Sequence, residues 1–300
     1  MSAALGERRE GNCGERHKLA QLIRKYKHIF DDKPGRTTMY VAQIPVKNDT
    51  PFRQATYPIP HAVRGEVERQ LNDMIRDGVI ERASSAFVNP LVCVCKPSGE
   101  VRLCLDARRL NKEIVPERES PADPEGIFTK FRGAKYLSTT DFAKGFWQVP
   151  LREEHRDFTA FLFNGKSYRF KVLPFGLSNS VGEFCRAVDT SLGPEVGSYV
   201  GVYVDDLVIA SRGFEEHMEH LEGLFRRVQE VGMKLKLRKS YFLRESVPFL
   251  GYILSAEGIG SDPSKVQAIV DFPKPRNVRE LRASLGCVGF IDVLPSAFLK

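Results

Sequence analysis

The stretch SYVGVYVDDLVIAS, Ser198 to Ser211, sets two adjacent carboxylates, Asp205 and Asp206, between two apolar runs rich in β-branched residues. Such runs read as the strands of a short hairpin with the acids at its tip. Asp is a common turn residue because its side chain can hydrogen-bond the local backbone. Two carboxylates crowded beside a core also raise each other's pKa unless a cation neutralises them. The stretch alone is compatible with a plain turn and with a metal site, so the rest of the chain has to decide.

A third acid, Asp141, ends the strand-like GAKYLSTTDF further upstream. If that strand lies beside the hairpin, three acids converge at the tip of one sheet. All-oxygen donors suit hard cations such as Mg²⁺, which share their coordination with substrate phosphates. This is the layout of two-metal phosphoryl transfer.

The flanking segments read as mixed α/β. In HAVRGEVERQLNDMIRDG, Val63, Val67, Leu71, Met74 and Ile75 recur at helical spacing before Gly78, a residue suited to a C-terminal cap. NPLVCVCKPSGEVRLCLDARRLN predicts two strands joined at Pro97–Glu100, and FTAFLFNGKSYRFKVL a second hairpin turning at Asn164-Gly165. SNSVGEFCRAVDTSLG and FEEHMEHLEGLFRRVQEVG carry helical periods. MKLKLRKSYFL reads as a strand in which Lys234, Lys236 and Arg238 alternate with Leu235 and Leu237. Its cationic side suits a nucleic-acid backbone or plain solvent equally. Two helical patterns near the C-terminus have Asp262 and Asn277 as expected N-caps. The first fifty or so residues read as a polar lead-in with one amphipathic piece, HKLAQLIRKYKHIF.

The 300 residues are 42% hydrophobic with a formal charge of +7, ordinary globular values with a basic excess that favours polyanionic partners. The six cysteines match no zinc-binding spacing, and Cys93, Cys95 and Cys104 are expected as buried thiols on paired strands. The charged start lacks an apolar signal segment, and no run approaches the ~18–20 apolar residues that cross a bilayer. A cytoplasmic protein with no membrane partner is the expectation. His217 and His220, set among four glutamates, read as an exposed helix face. NGKS at 164–167 resembles the end of a phosphate-binding loop, but Ala160 stands where its first glycine belongs.

Five ordered blocks, RLCLDARRLN, YLSTTDFAKGFWQVPL, TAFLFNGKSYRFKVLPFGLSNS, YVDDLVIAS and PFLGYILSAEGI, resemble the reverse transcriptase domain of gypsy-type long-terminal-repeat retrotransposons, a Pol polyprotein segment. The likeness runs over roughly residues 50–286. It implies an α/β right-hand polymerase fold with fingers, palm and a partial helical thumb. It also implies an RNA-directed DNA polymerase that moves nucleotides from dNTPs to a primer 3′-hydroxyl on an RNA or DNA template, with two Mg²⁺ ions that Mn²⁺ can replace. Asp141, Asp205 and Asp206 match the metal-binding, catalytic acids. Phe146 matches an aromatic gate against a 2′-hydroxyl, and Lys96, Arg102, Phe142, Phe175 and Gly176 match nucleotide-binding positions. Tyr203, Leu250, Gly251 and Tyr252 match primer-contacting positions, to which Lys234 and Lys236 add a basic nucleic-acid-binding face.

The implied division is an N-terminal extension at 1–50, fingers at 51–115 and 149–178, palm at 116–148 and 179–256, and a partial thumb at 257–300. Three departures stand out: Cys95 and Ala107 replace a usual lysine and aromatic, and PERESPADP replaces the usual approach to the palm. SLGCVGFIDVLPSAFLK leaves the family's pattern after Phe290, which reads as truncation. The alternative is therefore a catalytically silent retroelement remnant that at most binds nucleic acid.

Overall fold

The computed structural model describes residues 12–95, 101–116, 124–261, 266–267, 270–272 and 274–292. Four strands form the central sheet: β4 (Tyr136–Asp141), β7 (Val200–Tyr203), β8 (Asp206–Ser211) and β9 (Tyr241–Arg244), in the order β7-β8-β4-β9. All three pairings are antiparallel. The two-residue period of β8 sorts its apolar side chains. Leu207 and Ile209 enter the main core with helices α5 (Ser180–Gly197) and α6 (Phe214–Glu230), whereas Val208 and Ala210 enter a second core. That second core holds Ile127, Phe128 and Phe131 of and beside α4 (Pro124–Lys130), and the sheet β10 (Ser246–Phe249), β11 (Tyr252–Ser255) and β12 (Gly258–Ser261). A strand buried on both faces needs apolar residues at consecutive positions, and LVIA supplies them.

Outside the central sheet lie α2 (His61–Arg76), the hairpin β2 (Leu91–Cys95) and β3 (Val101–Leu105), α3 (Arg108–Glu113), and the sheet β1 (Ile80–Arg82), β6 (Lys166–Phe170) and β5 (Phe161–Phe163). The β5–β6 turn has φ 48° at Asn164 and 71° at Gly165, the double left-handed geometry that Asn-Gly is best able to adopt. Near the C-terminal end, α7 (Val278–Asp292) opens as expected, with the Asn277 side chain accepting the Glu280 amide at 2.9 Å. The Asp262 cap lies outside the described residues.

Described residues before position 50 contribute to the core. Helix α1 (Cys13–Lys25) lies on α6, and Leu19, Leu22, Tyr26 and Ile29 are buried in the main core. Ion pairs Lys18–Glu215 and Lys25–Glu222 flank this contact on the surface. Such exposed pairs are screened by solvent and contribute little, whereas a buried leucine contributes roughly 1.5–3 kcal/mol, so the apolar contact dominates. The chain then runs on across the molecule, with Arg36 N–H donating to Gly232 O, Ala42 N–H to Pro150 O, Lys47 N–H to Glu113 O and Gln54 N–H to Val88 O.

Three expectations are corrected here. MKLKLRK is not a strand: Leu235 forms single bridges to Phe30 and Phe142, and a 3₁₀ turn follows at Leu237–Lys239. Cys93 and Cys104 are half-buried rather than buried. His217 is fully buried rather than on an exposed face. Its ring bridges Ser138 Oγ of β4 at 2.7 Å and Ser211 Oγ of β8 at 2.8 Å, while His220 Nδ1 shares Ser211 Oγ at 2.9 Å. Burial, helped by His220, pushes the His217 pKa down to about 3.

The unfolded chain therefore binds the extra proton first, and this site loses stability as pH falls from about 6.5 toward 3. His217→Ala leaves two buried hydroxyls without this partner and opens a cavity. The expected cost is about 2–4 kcal/mol, read as a lower urea midpoint at pH 7.5 with an unchanged m-value.

Candidate active site

Strand register brings the three acids together. Asp141, last residue of β4, faces Asp206, first residue of β8, while Tyr203 faces Asp206 from β7. Asp205 thus belongs to the two-residue turn Val204-Asp205 instead of a strand. Val204 has φ 53°, in the first turn position where glycine is usual. A β-branched residue held there costs of order 1–3 kcal/mol.

The electrostatics indicate a shortage of positive charge. Burial, followed by the negative charge of Asp141, pushes the Asp205 pKa up to about 6. Asp206 is pushed up to about 6 by burial and then by a hydrogen bond and repulsion from Asp141. The nearby cation is Lys239, whose Nζ lies 2.6 Å from Asp141 Oδ2 and whose own pKa is raised by that hydrogen bond. Asp205 Oδ1 is buried without a hydrogen-bond partner, an arrangement that costs free energy unless something else satisfies it.

Among the described residues, no three His, Cys, Asp or Glu side chains are clustered tightly enough to hold a metal ion unaided. The donor chemistry nevertheless fits a hard divalent cation that completes its shell with phosphate and water. An orphaned carboxylate oxygen and two carboxyls with raised pKa values are what such a cation would relieve.

An aromatic wall stands beside the acids. The 3₁₀ turn Gly145–Gln148 carries Phe146, whose ring stacks on Phe184 with centroids 4.8 Å apart and meets Phe175 at 4.8 Å. Phe146 is 6% exposed, so core filling and a steric role coincide at this ring. Phe142 is buried edge-on to Phe184. Arg102 of β3 lies over the Phe175 ring at 5.5 Å, linking the fingers to the wall.

Gly176 is exposed with φ 98°. The Asn111 carboxamide holds its loop from both sides, donating to Gly176 O and accepting from Ser178 N–H at 2.9 Å each. Lys96 lies outside the described residues.

The remaining candidates are dispersed. Leu250 and Gly251 form the β10–β11 turn, with φ 54° and 82°. Tyr252 turns into the second core, edge-on to Phe128. Lys234 Nζ donates to His28 O, so this ammonium is tied to the N-terminal segment. Lys236 is half-buried, and its N–H donates to Asp141 O at 2.8 Å.

Sequence reasoning passed over two residues beside the acids, Lys239 and Gly145. A Cβ on Gly145 would lie 2.2 Å from Asp205 Oδ1 and 2.9 Å from Phe184 Cζ. The signal available was a glycine next to the wall's Phe146 in FAKGFWQ.

Comparison with known proteins finds relatives of the whole described fold. The reverse transcriptase (RNA-dependent DNA polymerase) family model matches residues 94–254. The Pol polyprotein of transposon opus from Drosophila melanogaster is 35% identical over 288 residues, covering 92% of this chain and 28% of that relative. That of transposon gypsy, from the same organism, is 32% identical over 267 residues, covering 87% and 26%. The chain thus spans under a third of the length of these relatives.

A foamy viral protease-reverse transcriptase solved with double-stranded DNA superposes with a TM-score of 0.87 at 30% identity, covering 93% of this chain and 50% of that one. Another, solved with an RNA/DNA hybrid, gives 0.84 at 29%, covering 93% and 38%. With half of its length matched by the family model, the chain belongs to the reverse transcriptase family.

Proposed function

We propose that this chain is the polymerase portion of a retrotransposon Pol polyprotein and adds deoxynucleotides to a primer 3′-hydroxyl on an RNA or DNA template. The observation that carries the reading is the register opposing Asp141 to Asp206, with Asp205 in the adjoining turn. The foamy viral relatives were solved with double-stranded DNA and with an RNA/DNA hybrid, which supports nucleic acid as the partner of the same face. No described helix is long and apolar enough to cross a membrane.

Asp141, Asp205 and Asp206 would hold two Mg²⁺ ions, or Mn²⁺ in their place. When bound, such ions acidify the primer hydroxyl and neutralise charge on the transferring phosphoryl group. The hairpin turn and the end of β4 hold the carboxylates in place before substrate arrives, so little reorganisation remains for the reaction. Arg102 and Lys96 would supply positive charge for a triphosphate. Phe146, backed by Phe184 and Phe175, gives the sugar pocket a rigid floor.

The direct test is dNTP incorporation on a poly(rA)/oligo(dT) primer-template with Mg²⁺. Folded protein that makes no product with Mg²⁺ or Mn²⁺ would overturn the polymerase reading. Replacing the wall's ring with Phe146→Val opens room for a 2′-hydroxyl. Discrimination between dNTP and rNTP is expected to fall at least about tenfold, consistent with what steric terms of ~1–3 kcal/mol deliver, measured as the ratio of kcat/KM values. Unchanged discrimination would remove Phe146 from the gate.

A further inference from the structure

We infer that Gln148 is a positioning residue that sets Asp141 against the segment carrying Lys236 and Lys239. This rests on the reading of Asp141 as part of the reactive site. Gln148 closes the 3₁₀ turn behind the aromatic wall and is 0% exposed. Its Nε2 donates to Ala143 O at 2.8 Å and Lys234 O at 2.9 Å, and its Oε1 accepts from Lys234 N–H at 2.7 Å. One carboxamide therefore grips both backbone groups of Lys234 and the carbonyl two residues after Asp141.

The backbone bonds Ala143 N–H to Lys234 O and Lys236 N–H to Asp141 O run beside this grip. Beyond this one bridge, residues 141–143 and 234–236 are held by other segments, Leu235 N–H donating to Ile29 O and Leu235 O accepting from Asp31 N–H. The side chain of Gln148 supplies rungs that a regular ladder would otherwise provide.

The N-terminal segment seals the clamp. Thr37 N–H donates to Gln148 O at 2.8 Å. A Cβ on Gly35 would fall 2.4 Å from Gly232 O, 2.8 Å from Gln148 Oε1 and 2.9 Å from Lys234 N. Only a glycine lets the backbone cover the amide this closely. Hydrogen bonds kept from water in this way hold their geometry tightly, and the geometry they hold is the approach of Lys239 to Asp141.

The test uses the full chain with Gln148→Met, which keeps length and removes every polar atom. Gln148→Asn, which withdraws the amide by one methylene, serves if the first variant does not fold. Leu19→Ala, in α1 on the far side of α6, is the control for general destabilisation, and every assay is run below the lowest melting temperature.

Single-turnover nucleotide addition is expected to fall at least about 30-fold, as misplacement of reacting groups by a fraction of an ångström to 1 Å produces. KM for dNTP and affinity for primer-template should stay within about threefold, the mark of an interaction that matters only in the transition state. Mn²⁺ affinity, followed by electron paramagnetic resonance without substrate, should drop about tenfold, the scale seen when groups supporting metal ligands are removed. A rate and a Mn²⁺ affinity that match Leu19→Ala would overturn the inference. If the wild type makes no product, the polymerase reading fails, and the Mn²⁺ titration alone decides the clamp.

Discussion

Asp205→Asn is expected to abolish Mg²⁺-dependent synthesis while making the metal-free protein more stable. Loss of function follows from removing a charge from the carboxylate group that would hold the cations. The gain in stability follows from the same charge, because burial and Asp141 hold the folded pKa of Asp205 at about 6, above the unfolded carboxylate value of roughly 4.

The folded state therefore takes up a proton before the unfolded state does, and stability falls as pH rises from about 4 through 6. Above that window the full penalty is present in the wild type and absent in the variant. Allowing for partial solvent access, the gain is about 1–2 kcal/mol, or roughly 2–5 °C in Tm for a chain of this size. His217 titrates in an overlapping range with the opposite sign, so the comparison belongs at pH 8 without divalent ions. A variant melting below the wild type there would contradict the charge crowding. Residual synthesis within tenfold of wild type would contradict the site.

Gly145→Ala is expected to lower kcat by about 100-fold with the fold retained. The added Cβ would sit 2.2 Å from Asp205 Oδ1, so the carboxylate or the 3₁₀ turn has to move. Displacement of about 1 Å at a reacting centre costs about 100-fold, whereas overpacking in the folded protein costs roughly 1–3 kcal/mol. Gly65→Ala, on α2 with nothing within 4 Å of its Cβ, controls for the methyl itself and should raise helix stability slightly. Comparing kcat and Tm for both variants separates crowding of Asp205 from general damage. An active Gly145→Ala enzyme would mean that Asp205 has freedom to move.

The parts legible in the sequence were those with a local cause. Asn164-Gly165 dictates its turn through backbone freedom, and the apolar run LVIA reads as a strand of the hairpin. Asp141, Asp205 and Asp206 stand out because acids at the ends of apolar strands are expensive without a purpose.

What escaped depends on tertiary contact. MKLKLRK alternates like a strand, yet Leu235 serves as a single bridge between Phe30 and Phe142 before the chain winds into a 3₁₀ turn. His217 sits among glutamates and reads as exposed, but its helix faces a sheet that offers Ser138 and Ser211 at bonding distance. Gly145 and Gln148 owe their importance to groups distant in sequence, Asp205 and Lys234. No period or propensity encodes such approaches.

The family match begins at residue 94, but the interior does not. Ile29, Ala42 and Ile44 are 0–1% exposed, and the path from Arg36 to Gln54 is laced by main-chain bonds to Gly232, Pro150, Glu113 and Val88. The buried interior therefore begins well before the stretch that the family model matches. A polypeptide cut at the start of the matched region would expose the inner surface of the palm and leave the Gln148 amide open to water. For this chain, the stretch from Leu19 to Ile44 is part of the foundation on which the sheet rests.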